Sequence, residues 1–193
     1  MIDQAKDKNK YLAKCFNKKT LIQKAIIAAC ALVIVLSFSL SFYFWLKDMT
    51  EGQEIGKNPF WYIHIIWNDG IGFSALSGNL TAIYSIQTIM FALMVVIFLF
   101  LSNDRTSASF VALAMFGGFF NLIQRAAETG AHVGCVLDYF MFGFMDFAIF
   151  NWPDTFVVIG IFGFVISFIT ITVIDSVKES RKERAEARRK AKK

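Results

Sequence analysis

The chain has 193 residues, of which 56% are hydrophobic and 18% charged, and it carries a formal net charge of +5. This apolar content is more than a soluble domain of this length needs, which excludes an ordinary water-soluble globular protein. The basic residues concentrate in two tails that flank apolar sequence. Attraction to anionic lipid therefore explains the charge better than nucleic acid binding does.

Four long windows of the chain are apolar and almost free of charged residues. About 20 such residues in helical form cross the hydrocarbon core of a bilayer, and only a helix satisfies the backbone hydrogen bonds of a single apolar segment there. The sequence therefore predicts an all-α membrane protein, a bundle of four transmembrane helices. The predicted spans are residues 25–46, 80–102, 106–124 and 155–175.

The spans also divide the chain into three parts. We expect a basic tail over residues 1–24, a membrane domain over residues 25–177 and a second basic tail over residues 178–193. Within the membrane domain, residues 48–79 and 125–153 form the two long connections between spans.

The distribution of basic residues predicts the orientation, because Lys and Arg are retained on the cytoplasmic side of a membrane. Seven precede the first span, nine follow the last, and Arg105 lies in the turn between the second and third spans. The opposite side has only Lys47, Lys57 and Arg125. Both termini are therefore expected in the cytoplasm, and the two long connections outside.

Cysteine and histidine offer little chemistry in this chain. Cys15 is expected in the cytoplasm, Cys30 within the first span and Cys135 outside, so no internal disulfide is expected. The outward donors His64, His132 and Cys135 match no common zinc spacing. We expect no metal and no cofactor.

Outward carboxylates are the better candidates, since polar groups near a membrane are costly unless they are used. Asp154 follows Pro153 at the start of the fourth span, where a carboxylate can also serve as a helix cap. Asp138 lies in an otherwise apolar run and needs a partner. If the connection folds over the bundle, the two carboxylates meet, cannot both ionise and suit peptide hydrolysis. Asp146 competes with Asp138 for this role.

Four short segments of the chain carry a family resemblance. They are, in chain order, Ile66–Ser74, Gly117–Arg125, Val136–Tyr139 and Phe150–Asp154. The first resembles an aromatic stretch ending in H-N-x-G-x-A-F-S, and the others resemble N-x-x-D-R, V-V-D-F and F-N-x-A-D. These are motifs of the lipoprotein signal peptidases, or signal peptidase II, which are aspartic proteases of bacterial membranes.

The resemblance implies a role for each matched residue. Asp138 and Asp154 would form the catalytic pair. The residues that support the site or bind substrate would be Asn68, Asn121, Arg125 and Asn151. The aromatic segment Phe60–Trp67, which is expected to be extended chain, would belong to a small β-rich cradle at the outer face of the bundle.

The implied reaction is removal of the signal peptide of a bacterial prolipoprotein, just before its diacylglyceryl-modified cysteine. The implied partners are diacylglyceryl-modified prolipoproteins and membrane lipids, and the protein is expected to be a monomer. Its expected place is the bacterial cytoplasmic membrane, with the active site at the outer interface.

The sequence also departs from the family pattern. Gln124 replaces the Asp of D-R, Phe120 replaces a Gly, and Ser37 and Ser41 stand where most members carry Asp and Lys. Glu128–Cys135 is an additional stretch of loop. These departures leave a catalytically inactive, lipoprotein-binding relative as the alternative. A small transporter is disfavoured, because the spans lack an ionisable residue at membrane depth.

Overall fold

The computed structural model describes residues 15–72, 74–145 and 147–190. Four long helices organise this part of the chain, and each, with α2 counted as far as Leu101, is long and apolar enough to cross a membrane. They are α1 (Lys18–Leu46), α2 (Leu80–Val96), α3 (Arg105–Ala127) and α4 (Trp152–Lys190). The predicted bundle of four transmembrane helices is confirmed.

Helices α1, α3 and α4 extend beyond the predicted spans, because a span is recognised by missing charge whereas a helix continues into charged sequence. Helix α1 begins at Lys18, where the side chain of Asn17 accepts a hydrogen bond from the Lys19 N–H at 2.9 Å and caps the helix. Helix α2 continues into one π-helical turn, Ile97–Leu101. Helix α4 runs through the basic tail as far as Lys190.

Helix α3 lies at the centre of the bundle. Half of its apolar window is buried inside the protein, against 17% or less for the other three helices. Small residues let its neighbours approach closely: a Cβ added at Gly160 of α4 would lie only 2.5 Å from the Phe110 carbonyl oxygen of α3. Deeper in the same contact, the hydroxyls of Ser107 and Ser167 are 3.0 Å apart.

A small antiparallel sheet covers one end of the bundle, which we call the sheet end. Its strands are β1 (Glu54–Ile55), β2 (Trp61–Asn68) and β3 (Val136–Phe142), in that spatial order. Buried Ile65 and Leu137 pack against Leu46 at the end of α1. The expected β-rich cradle is confirmed, and it covers the helix ends that carry the predicted site residues.

Candidate active site

The two candidate catalytic carboxylates come from different elements at the sheet end. Asp138 lies in the middle of β3, opposite Ile66 of β2, and its side chain is only 3% exposed. Asp154 is the third residue of α4 and is partly buried. The chain therefore folds back over the bundle between them, as the sequence-based hypothesis required.

Asn151 joins these two carboxylates. Its side-chain Nδ2 donates to Asp138 Oδ1 at 2.7 Å, and its backbone N–H donates to Asp154 Oδ2 at 3.3 Å. In return, the Asp154 N–H donates to Asn151 Oδ1 at 2.9 Å. This reciprocal pair is a capping box at the start of α4. Two roles were considered for Asp154, a helix cap and a member of the site. This geometry allows Asp154 to fill both.

Each carboxylate also accepts a hydrogen bond from a second asparagine. Asn68 Nδ2 at the end of β2 donates to Asp138 Oδ2 at 2.8 Å. Asn121 Nδ2 of α3 donates to Asp154 Oδ1 at 2.7 Å. Asn151 Nδ2 also lies 3.2 Å from Asn121 Oδ1, which closes the network. The three asparagines predicted to support the site therefore all contact the carboxylates or each other.

The protonation of Asp138 follows from this environment. Burial, followed by the nearby charge of Asp154, raises the pKa of Asp138 well above its ordinary value. The amides of Asn68 and Asn151 oppose this rise, because they stabilise the ionised form. A coupled pair of this kind retains one proton at a pH where an exposed carboxyl has released it.

Arg125 is engaged by the backbone of the cradle. Its Nη2 donates to the Gly70 carbonyl at 2.6 Å, and its Nη1 donates to the carbonyls of Asn68 and Gly134. The residue is 2% exposed. These contacts fasten the end of β2 and the segment before β3 to α3. The resemblance implies that Arg125 either supports the site or binds substrate, and these contacts favour the supporting role.

A cavity of about 510 Å³ opens beside the carboxylates. One wall is polar and includes Asn68, Asn121 and both aspartates, whereas apolar residues of α4 such as Val158 form another. Helix α2 contributes Gln87. Sequence reasoning missed this residue, although a side-chain amide in the middle of a span was a usable signal.

The predicted competitor Asp146 lies outside the described residues. The two histidines lie apart from the carboxylate network. His64 Nδ1 is 3.6 Å from a Glu54 carboxylate oxygen, beyond hydrogen-bond distance, and the His132 ring stacks on Trp67 with centroids 4.0 Å apart. Within residues 15–72, 74–145 and 147–190, no group of three His, Cys, Asp or Glu side chains is placed to hold a metal ion.

The departures from the family pattern do not disturb the carboxylate network. Ser37 and Ser41 are exposed on α1, and the Ser41 hydroxyl donates to the Ser37 carbonyl at 2.6 Å. Phe120 packs in an apolar cluster with Val35 and Phe156. Gln124 is buried beside Arg125, and its Nε2 has no hydrogen-bond partner among the described residues.

The paired, amide-bound aspartates at one end of a membrane bundle place the chain among the membrane-embedded aspartic peptidases. Comparison with known families narrows this class, because residues 29–170 match the model described as signal peptidase (SPase) II. The chain belongs to the signal peptidase II family. The sequence-based predictions of this family and of a peptidase are thereby confirmed.

Curated relatives agree with the family assignment. A lipoprotein signal peptidase of Malacoplasma penetrans is 35% identical over 187 residues, covering 91% of this chain and 75% of the relative. One from Mycoplasmoides gallisepticum is 30% identical over 177 residues, covering 88% of this chain and 57% of the relative. A third, from Pelagibacter ubique, is 34% identical over 119 residues, with 61% and 70% covered.

Solved structures share the fold. One bacterial membrane enzyme, determined by the in meso method at 2.3 Å resolution, superposes with a TM-score of 0.61. It is 22% identical to this chain, and the superposition covers 81% of this chain and 91% of that one. The similarity supports the architecture of four helices with a cradle at one end.

Proposed function

We propose that the protein removes the signal peptide of bacterial prolipoproteins just before the diacylglyceryl-modified cysteine, with Asp138 and Asp154 as the catalytic pair. The observation that carries the proposal is the shared asparagine: Asn151 holds both carboxylates at the wall of a cavity with apolar sides. The substrate class is that of the curated relatives, which are lipoprotein signal peptidases.

The chemistry requires one proton on the pair. The protonated carboxyl donates a hydrogen bond to the scissile carbonyl oxygen, and the ionised carboxylate takes a proton from the attacking water. As the tetrahedral intermediate collapses, the C–N bond breaks and the leaving amine receives a proton from the pair. Asn68 and Asn121 keep the carboxylates in position throughout.

The lipid part of the substrate enters from the bilayer. Helices α2 and α4 both pack on α3, and the cavity between them has apolar walls formed by Val157, Val158 and Ile159. Acyl chains bound against these residues place the scissile bond beside the aspartates. Binding energy from a remote part of the substrate is thereby used for positioning. Membrane lipids compete for the same surface.

The basic residues support an orientation with both termini in the cytoplasm of a bacterial cell and the sheet end at the outer interface of its membrane. Arg105 and the tail of α4 lie at the end opposite the cradle. In this orientation the aspartates meet the cleavage site of the substrate at the outer interface. One chain supplies both carboxylates and their amide donors, which supports a monomer as the active unit.

The test is cleavage of a diacylglyceryl-modified prolipoprotein peptide by the purified protein in detergent. Asp138→Asn and Asp154→Asn should each lower the rate by about 10³-fold or more, because each removes a proton-transfer group. Asp146→Asn is the control and should retain activity. Substantial activity in either Asp138→Asn or Asp154→Asn would contradict the mechanism.

Two further results distinguish the alternatives. If the well-folded wild-type protein binds the lipidated peptide and never cleaves it, the inactive lipoprotein-binding relative is the correct description. If the wild-type protein cleaves an unlipidated precursor as fast as the lipidated peptide, the proposed recognition of the lipid is wrong.

A further inference from the structure

Gln87 is the one side-chain amide of helix α2, and it lies near the middle of this helix. Two neighbouring polar side chains have partners within the protein: the Ser85 hydroxyl donates to the Thr81 carbonyl at 2.7 Å, and the Tyr84 hydroxyl donates to the Arg125 carbonyl at 3.0 Å. Gln87 Oε1 is buried and has no hydrogen-bond partner among the described residues.

Two contacts between α2 and α3 fix the depth of Gln87. The Tyr84 hydroxyl meets the Arg125 carbonyl at one level, and the Phe91 and Phe119 rings stack with centroids 4.6 Å apart at a deeper level. The two helices run in opposite directions, so Gln87, about one turn below Tyr84, lies level with Asn121. Both residues line the cavity that contains the aspartates.

We propose that Gln87 is a specificity-determining residue whose Oε1 accepts a hydrogen bond from a peptide N–H of the bound substrate. This inference rests on the proposed function. The unpartnered atom is an acceptor, and the ester oxygens of a diacylglyceryl group are acceptors as well. The peptide N–H groups of the substrate are donors, and one of them reaches this depth when the scissile bond lies beside Asn121 and Asp154.

The unpartnered Oε1 of Gln87 does not stabilise the protein when no substrate is bound. A buried polar atom without a partner destabilises a fold, and an apolar side chain of similar shape relieves that penalty. A residue that serves only the fold should lower stability when it is replaced. A residue retained for the substrate should lower binding and leave stability unchanged or improved.

The experiment compares wild type with Gln87→Leu and Gln87→Met, measuring kcat, KM and the thermal midpoint in detergent with the lipidated peptide. Both variants should raise KM about tenfold, as expected for one lost hydrogen bond that excludes water. The value of kcat should change little, because the bond is made in the ground state and the transition state alike. Thr88→Val, exposed on the same helix, is the matched control and should behave as wild type.

A second arm uses peptides N-methylated at single positions on either side of the cleavage site. At one position, methylation should raise the KM of the wild-type protein about tenfold and leave that of Gln87→Leu unchanged. If no position shows this non-additivity, the assignment to a peptide N–H is wrong.

Unchanged KM in both Gln87 variants overturns the inference, and so does a lowered thermal midpoint together with lost activity. Wild-type cleavage in the same assay separates this inference from the proposed function. An active wild type with an unaffected Gln87→Leu variant overturns the role of Gln87 alone, whereas a folded wild type without activity overturns both.

Discussion

The sheet end of the bundle and the contact between α3 and α4 are held together by different interactions. At the sheet end, amides of Asn68, Asn121 and Asn151 bind two carboxylates. In the contact between the helices, glycine lets the backbones touch: a Cβ added at Gly160 would lie 2.6 Å from the Ala114 nitrogen. Hydrogen bonds orient the first region, and steric fit positions the second.

The two regions are coupled through the start of α4. A Cβ added at Gly117 would lie 2.5 Å from the Pro153 carbonyl oxygen, so close packing also fixes the first turn of α4 against α3. Asp154 belongs to that turn. The comparison teaches that the helix contact determines where the carboxylates are, whereas the amides determine how they are oriented and charged.

Replacing Asn151 tests the contribution of the amides separately from that of the helix contact. Of the substitutions in this comparison, we expect it to have the largest effect on activity. Asn151→Ala removes the side-chain hydrogen bond to the Asp138 carboxylate and the cap on the Asp154 N–H, and it should lower kcat/KM about 10²-fold or more, measured with the lipidated peptide. Asn79→Ala is the matched control, because Asn79 caps α2 by accepting from the Ala82 N–H at 3.1 Å and is not among the residues that bind the carboxylates.

Both substitutions remove a helix cap and should lower stability by about 1 kcal/mol. Only the first should lower the rate. An equal loss of activity in Asn79→Ala would mean that Asn151 acts through stability alone.

Replacing a glycine in the helix contact should lower stability first. Gly160→Ala forces a methyl group against the backbone of α3 and should destabilise the protein by about 1–3 kcal/mol, measured by unfolding in detergent. Gly118→Ala is its control, since a Cβ there would lie 3.9 Å from Val157 Cγ2, an ordinary contact. Equal stability of the two variants would contradict the steric account of this contact.

The smallest expected effect is a pH dependence of stability caused by Asp138. Because its pKa is raised in the folded protein, the folded state binds the proton more tightly than the unfolded state does. Stability should therefore fall as the pH rises from about 4, the ordinary carboxyl pKa, through the raised value. Asp138→Asn should remove this loss and raise the thermal midpoint at neutral pH.

The control for this measurement is Asp175→Asn, which changes a carboxylate that is 69% exposed on α4. It should leave the pH dependence as it is in wild type. If the thermal midpoints of Asp138→Asn and wild type change with pH in the same way between acid and neutral pH, the account of Asp138 is contradicted.

Much of the fold could be predicted from the sequence, because the bilayer requires apolar side chains and internally satisfied backbone hydrogen bonds. A run of about 20 uncharged residues must be a helix, so the four spans follow from composition. The ends of the helices do not. Helix α1 starts at Lys18 because Asn17 caps it.

The site was predictable in part. The motifs placed Asp138, Asp154 and the asparagines, and the structure brings these side chains together. Two features depend on the folded chain. Asn151, which caps α4 together with Asp154, also contacts Asp138 because β3 lies beside the start of α4. Arg125 is enclosed by carbonyls that include those of Asn68 and Gly70, which are distant in sequence. No local pattern encodes such contacts.

The central claim is that Asp138 and Asp154 work as a pair holding one proton. Its most direct test is the pH dependence of kcat/KM for the wild-type protein, with a lipidated peptide free of titratable side chains near the cleavage site. The account predicts a bell-shaped profile, since activity is lost when both carboxyls are protonated and again when both are ionised. A profile with a single limb, unchanged from neutral to alkaline pH, would contradict it.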